Sequence, residues 1–286
     1  MDKELLSGFK EAKRITKKFA KTFYLASLFL PKDRKYAGYA VYALCRLSDE
    51  AVDNSAICNQ TDILLGLEEK ISAAYSGCKL NEPLLAAFRE TVKKYKIPKE
   101  CFDELIEGMR MDLKIKRYPD FSALYKYCYR VAGVVGLIMI KIFGYKDASC
   151  RDYGIKLGIA MQLTNILRDI NEDIGRGRIY LPQDEMLKFN VSESQLIKGL
   201  NNEGFKNLMR FQIERCRKYY EESSAGIKLI DSRLSRLVVM VMKETYCGIL
   251  DEIKKNNYDI FSKRVFVSKS RKIAIISKIL WERKYL

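Results

Sequence analysis

Apolar residues recur along almost the whole chain at spacings of three and four, the period of an amphipathic helix, with polar residues between them. The pattern predicts helices near 3–28, 33–54, 61–77, 82–95, 99–115, 120–143, 147–174, 203–227, 231–256 and 270–284. Local signals set several of the starts. Asp33 after Pro31 and Asp120 after Pro119 read as N-caps, and Ser192 with Gln195 reads as a capping box. No proline falls between Pro119 and Pro182, which favours long uninterrupted helices. With no alternating strand pattern, Gly/Ser linker or internal repeat, residues 1–286 read as a single all-α domain.

Two helices carry a polar stripe on an otherwise apolar surface. In "YAGYAVYALCRLSDEAVDN", Tyr42, Arg46, Asp49 and Asp53 fall within about 60° of one another. In "YGIKLGIAMQLTNILRDINED", Gln162, Asn165, Asp169 and Asp173 fall within about 80°, beside an apolar stripe of Ile159, Leu163, Ile166 and Ile170. A helix that is apolar nearly all round is buried. Carboxylates four apart on one helix repel by roughly 0.2–0.5 kcal/mol, and a buried unpaired carboxylate costs several kcal/mol more. The pair Asp103 and Glu107 has the same spacing but reads as a solvated face. The two buried stripes need cations, and oxygen-only clusters suit Mg²⁺, which binds through one or two carboxylates together with substrate phosphates. The remaining phosphate charge calls for Arg46, Lys21 and Arg264, Arg in particular matching phosphate oxygens with its planar fork.

Composition narrows the chemistry. The chain contains 52 Lys and Arg against 36 Asp and Glu, a formal charge of +16. That excess covers solvated helix faces and fits a polyanionic substrate, an anionic membrane surface or nucleic acid. Histidine is absent, which removes imidazole-activated nucleophiles, H-E-x-x-H zinc sites and Glu-x-x-His di-iron bundles. The eight cysteines have no C-x-x-C pair and read as reduced thiols of a cytosolic protein. The charged N-terminal stretch and the lack of an apolar run of eighteen residues predict neither a signal peptide nor a spanning segment.

"YALCRLSDEAVD", "YCYRVAGVVGLIM" and "AMQLTNILRDINEDIGRGRIYLP" occur in the order and at the spacing that resemble the squalene/phytoene synthases, and the resemblance runs from about 20 to 272. It implies an all-α isoprenoid-synthase bundle around a central cavity. It implies Mg²⁺ held by Asp49 and Asp53 on one side and by Asn165, Asp169 and Asp173 on the other. Diphosphate contacts are implied for Lys21, Arg46, Arg264 and Arg168, although helical angle turns Arg168 away from the aspartate stripe. Tyr42, Tyr129, Gln162, Tyr180 and Tyr246 match positions around the reacting carbons. Ala20 and Thr22 stand where serines often flank the lysine, so Ala20 lacks one phosphate hydrogen bond.

Phe23 and Tyr42 offer aromatic faces to carbocations, a cation–π attraction of up to ~2 kcal/mol. Gly133 and Gly136 either open room for a prenyl tail or allow close helix packing. The implied reaction joins two farnesyl or geranylgeranyl diphosphates head to head through a cyclopropylcarbinyl diphosphate. The expected product is dehydrosqualene or phytoene, without NADPH. The runners-up are a synthase that stops at presqualene diphosphate and a squalene synthase using NADPH. From another class comes a non-catalytic basic helical protein binding nucleic acid, a partner not expected here because no recognition motif accompanies the charge. The basic C-terminal helix, with Ile273, Ile276 and Leu280 on one face, reads as docked on the domain. It also leaves room for peripheral contact with the inner face of a membrane.

Overall fold

The computed structural model describes residues 3–53, 60–78 and 80–282, and at 48–53 it describes the backbone alone. The helices are α1 (Lys3–Phe19), α2 (Lys21–Ser27), α3 (Lys32–Asp53), α4 (Gln60–Ser76), α5 (Pro83–Lys94), α6 (Glu100–Lys114) and α7 (Phe121–Cys128). After α7 a π-helical turn at Tyr129–Gly133 leads into α8 (Val134–Phe143). There follow α9 (Cys150–Gly175), α10 (Gln183–Lys188), α11 (Glu193–Ile197), α12 (Glu203–Ser224), a 3₁₀ turn (Ala225–Leu229), α13 (Arg233–Lys255) and α14 (Lys269–Glu282). Among the described residues the only β-type pairings are two isolated bridges, Arg117 with Ile179 and Tyr145 with Ile230.

The caps account for several boundaries. Asp120 accepts from the Ala123 amide at 2.8 Å and starts α7, and Ser192 with Gln195 forms the reciprocal capping box of α11. Such caps are each worth about 1 kcal/mol. Asp33 differs from its expected role. It lies inside the first turn of α3, and its carboxylate accepts from Lys94 and Tyr95, each at 3.1 Å, tying α3 to the end of α5. The helix expected over 3–28 is two helices, because Ala20 leaves the helical region with φ −116° and ψ 57°. The break places Lys21, Thr22 and Phe23 in the first turn of α2.

The helix α9 organises half of the core. Ile159, Leu163, Ile166, Leu167 and Ile170 are all buried, packed with α12 residues such as Leu208, Met209 and Ile213. Thr164 on α9 and Tyr220 on α12 share a buried hydrogen bond of 2.9 Å. A second apolar cluster joins α3, α4, α5, α6, α8 and α13, with Phe88 and Phe102 edge to face at 4.8 Å. The helix α8 packs against both α3 and α9, so it sets the spacing between the two helices that carry the polar stripes.

The Phe121–Phe143 segment is long and apolar enough to cross a membrane by length and composition, contrary to the expectation from apolar runs. Its contacts explain the apolarity otherwise. It packs on α6 and α9, and a Cβ on Gly136 would lie 2.2 Å from the Gly154 carbonyl oxygen. Gly158 meets the Ala132 carbonyl in the same way, at 2.2 Å. Of the two readings of Gly136, the contact favours backbone-to-backbone packing of α8 on α9. Gly133 differs, since side chains rather than backbone surround it: Tyr129 and Ile155 lie 3.1 and 3.3 Å from where its Cβ would stand.

Candidate active site

On α9 the stripe is real. Gln162, Asn165, Asp169 and Asp173 are all half-buried on one side of the helix, with Ile166 and Ile170 buried beside them. The Asn165 amide nitrogen donates to Gln162 at 3.5 Å, while its Oδ1 is buried without a hydrogen-bond partner. Burial first, and the neighbouring Asp169 carboxylate second, push the Asp173 carboxyl up to about 7. An orphaned oxygen and a carboxylate that resists ionisation are costly in a folded protein. Both are relieved by a hard cation, so this oxygen donor set fits Mg²⁺.

Asp169 is paired. Arg168 folds back along the helix, its Nε donating to Oδ1 at 2.8 Å and its Nη2 to Oδ2. That corrects the expectation from helical angle, because a long side chain reaches around the helix where its Cα–Cβ direction does not. Arg264 adds a second guanidinium, 3.0 Å from Asp169 Oδ1 and 3.2 Å from Glu172. Tyr246 on α13 stands beside this group, its phenol pushed up by burial, with Arg168 and Asp169 acting on it in opposite directions.

The second group of expected residues lies on α2 and α3. Phe23 and Tyr42 stand with ring centroids 6.4 Å apart, and Phe23 also packs edge-on against Tyr39 at 6.2 Å. Arg46 lies over the Phe19 ring at 4.5 Å. The side chains of Asp49 and Asp53 lie outside the described residues. Among the described residues no cluster of three or more His, Cys, Asp or Glu is placed to hold a metal. Among the described residues the α9 side chains do not by themselves make a complete cation site.

Two residues that sequence reasoning passed over complete the site. Lys272 on α14 donates to Thr22 Oγ1 at 2.8 Å. Its ammonium is pushed down by burial first and then by Lys21, so two cations are held close together at the start of α2. Lys272 is half-buried and Lys21 exposed, and two like charges this close favour an anion between them. The segment from Arg264 to Lys272 therefore touches both halves, Asp169 on α9 and Thr22 on α2. The other residue is Asp112 near the end of α6, 7% exposed. It accepts hydrogen bonds from Tyr180 at 2.7 Å and from Tyr127 at 2.9 Å. Tyr129 sits in the π-helical turn, a geometry often found at functional sites, and burial raises its phenol.

Known proteins resemble this chain over most of its length. The family model for squalene/phytoene synthase matches residues 16–271. A 15-cis-phytoene synthase of Synechococcus elongatus is 38% identical over 282 residues, covering 94% of this chain and 91% of the relative. The 15-cis-phytoene synthase of Synechocystis is 35% identical, covering 96% and 85%. Among solved structures, a ligand-bound dehydrosqualene synthase superposes with a TM-score of 0.92 at 31% identity over 99% of both chains. A squalene synthase of Alicyclobacillus acidocaldarius superposes at 0.83 with 26% identity, covering 91% of this chain and 97% of the other. On its motifs, its helical architecture and these relatives, the chain belongs to the squalene/phytoene synthase family.

Proposed function

We propose that the chain is a prenyltransferase that joins two farnesyl or geranylgeranyl diphosphates head to head and releases a thirty- or forty-carbon hydrocarbon. The observation that carries this reading is the α9 ridge. Asn165 Oδ1 is orphaned and the Asp173 carboxyl is pushed up to about 7 in a chain with no histidine. Those features are a penalty in an ordinary core and an asset where divalent charge arrives with the substrate. They also disfavour a nucleic-acid-binding role, which leaves buried carboxylates without a purpose.

In this reading Asn165, Asp169 and Asp173, with Asp49 and Asp53 from α3, hold Mg²⁺. The ion supplies Lewis-acid stabilisation of a departing diphosphate. Lys21, Lys272, Arg46, Arg168 and Arg264 take the remaining phosphate oxygens as charge-assisted donors. The first diphosphate leaves with its bonding electron pair, and an allylic cation remains. The double bond of the second substrate attacks that cation, and loss of a proton closes the cyclopropylcarbinyl diphosphate. A second ionisation rearranges the skeleton, and proton loss gives a conjugated triene, so no NADPH is consumed. Phe23 and Tyr42 line the path of these cations with aromatic faces, and Tyr129, Gln162, Tyr180 and Tyr246 place phenol and amide dipoles around them. Purified protein given each prenyl diphosphate with Mg²⁺ is expected to yield phytoene or dehydrosqualene by mass spectrometry, with or without NADPH. Release of presqualene diphosphate, or squalene formed only with NADPH, contradicts this product assignment.

Delivery of such a product favours a lipid surface. The helix α14 docks on α13 through Ile279, with Ile275 and Ile276 half-buried. The side expected to carry Ile273, Ile276 and Leu280 together is therefore split. Trp281 is 88% exposed, Phe266 71% and Ile273 62%, beside the exposed Lys269 and Lys278. Exposed aromatic and basic residues of this kind fit the headgroup region of an anionic bilayer, which supports peripheral contact with the cytoplasmic face of a membrane. Flotation with phosphatidylglycerol vesicles is expected to carry the protein upward, and Trp281→Ser is expected to weaken that binding. No flotation of the wild type removes the membrane from the account.

A further inference from the structure

The geometry points to Asp112 as a positioning residue for the reaction, one that fixes which atom of Tyr180 faces the site; this rests on the prenyltransferase reading above. The residue is buried near the end of α6, and both of its carboxylate oxygens are engaged. Tyr180 donates its only phenol proton to Oδ1 at 2.7 Å. Tyr127 donates to Oδ2 at 2.9 Å and lies 3.4 Å from the Tyr180 oxygen. The three rings of Tyr118, Tyr127 and Tyr180 pack as a block. Tyr180 is stacked on Tyr127 at 5.1 Å and on Tyr118 at 5.7 Å, with interplanar angles of 24° and 23°. The block leaves Tyr180 little freedom to turn, and Asp112 settles the remaining choice of where its proton points.

Tyr180 and Asp173 line one small cavity with Ile166, Ile170 and Arg178. The buried phenol network therefore reaches the metal-facing end of α9. A phenol has one proton and two lone pairs. With the proton committed to a carboxylate, Tyr180 presents acceptor electron density, and a charge-assisted bond of this kind strengthens that density. Without Asp112, the proton is free to turn toward the cavity that Tyr180 shares with Asp173, and Tyr180 then presents a donor where it had presented an acceptor. Burial pushes the Tyr180 phenol well above its ordinary value, so the group stays a neutral phenol throughout and acts by orientation of its dipole.

A purely structural carboxylate joining α6 to the loop after α9 predicts a stability loss and nothing else. A positioning role predicts a selective loss of turnover. The Asp112→Asn variant keeps the shape but replaces one acceptor with a donor. It is expected to lower kcat by about tenfold to a hundredfold, with KM for the prenyl diphosphate within about twofold of wild type and the same thermal midpoint. Tyr180→Phe is expected to lose a similar factor, and the double variant no more than Tyr180→Phe alone, because both act through one oxygen.

Full activity in Asp112→Asn, a loss that multiplies with that of Tyr180→Phe, or a loss that only tracks a fallen thermal midpoint overturns the assignment. If Asp112→Asn does not fold, Tyr127→Phe carries the test. It leaves the Asp112–Tyr180 bond in place and is expected to keep kcat within about threefold, whereas a loss equal to that of Tyr180→Phe contradicts the role. Wild-type protein inert toward both prenyl diphosphates contradicts the functional reading itself. An active wild type with an equally active Asp112→Asn contradicts Asp112 alone.

Discussion

Asp173→Asn is expected to cost about a thousandfold in turnover and to raise the melting temperature of the metal-free protein at pH 8. The two effects have one cause. In the unfolded chain an aspartate titrates near its ordinary 3.8, whereas burial and Asp169 push Asp173 up to about 7 in the fold. Between those values the folded protein binds a proton that the unfolded chain has released. Stability therefore falls as pH rises from about 4 to 7, and the whole penalty is present above 7. Asn resembles the neutral acid, so it removes the penalty at pH 8 and changes little at pH 4. Its loss as a charged metal ligand costs several kcal/mol of transition-state stabilisation, about 4 kcal/mol for a thousandfold. Thermal melts of wild type and variant at the two pH values, beside steady-state rates, check both halves. A variant less stable than wild type at pH 8 contradicts a net burial penalty on the Asp173 carboxylate, which Arg176 and Arg178 only partly offset.

Arg264→Gln is expected to move two binding equilibria in opposite directions. In the metal-free protein Arg264 occupies Asp169 Oδ1 at 3.0 Å and Glu172 at 3.2 Å, while its own side chain is 53% exposed. It is a half-exposed cation seated on a carboxylate, and in the proposed function it would compete with a divalent ion for that oxygen. A diphosphate offers the guanidinium a better partner and frees the carboxylate. Without Arg264, Mn²⁺ used as a probe is expected to bind more tightly in the absence of diphosphate. The variant's kcat/KM for the prenyl diphosphate is expected to fall about a hundredfold, the scale of a lost charge-assisted donor in a dry site. Lys263→Gln, a neighbouring charge with no pairing to Asp169, controls for the general field. Calorimetric titration with Mn²⁺ reads the first effect, and unchanged affinity in Arg264→Gln contradicts the competition.

The parts of the fold that were legible in the sequence are those written locally. The apolar period along 147–174 anticipates α9, and its polar residues at 162, 165, 169 and 173 do share a side. Asp120 and Ser192 act as the caps that their neighbours suggest. The rest depends on tertiary contacts. Asp112 sits beside Lys114 and Lys116 with no local signal for a buried role, and only Tyr180, 68 positions away, gives it one. Lys272 reads as one basic residue among many on a terminal helix, and only contact with Thr22, 250 positions earlier, gives it a site. The glycines 133 and 136 are ambiguous by themselves, because a missing side chain makes room equally for a ligand or for another helix. The Gly154 backbone decides between these for Gly136. Arg168 reaches Asp169 although helical angle turns it away, because that angle locates a Cβ and says little about the end of a flexible four-torsion side chain.

In the proposed function, Asp169 and its neighbours on α9 would hold the divalent ion that helps a diphosphate leave the prenyl chain. Pyrophosphate release from farnesyl and geranylgeranyl diphosphates, measured with Mg²⁺ and with chelator for wild type and Asp169→Ala, tests that most directly. The predicted result is release by the wild type only with Mg²⁺, two pyrophosphates for each hydrocarbon formed, and a loss of about a thousandfold in Asp169→Ala. Undiminished release by Asp169→Ala, or none from the wild type with either substrate, would contradict it.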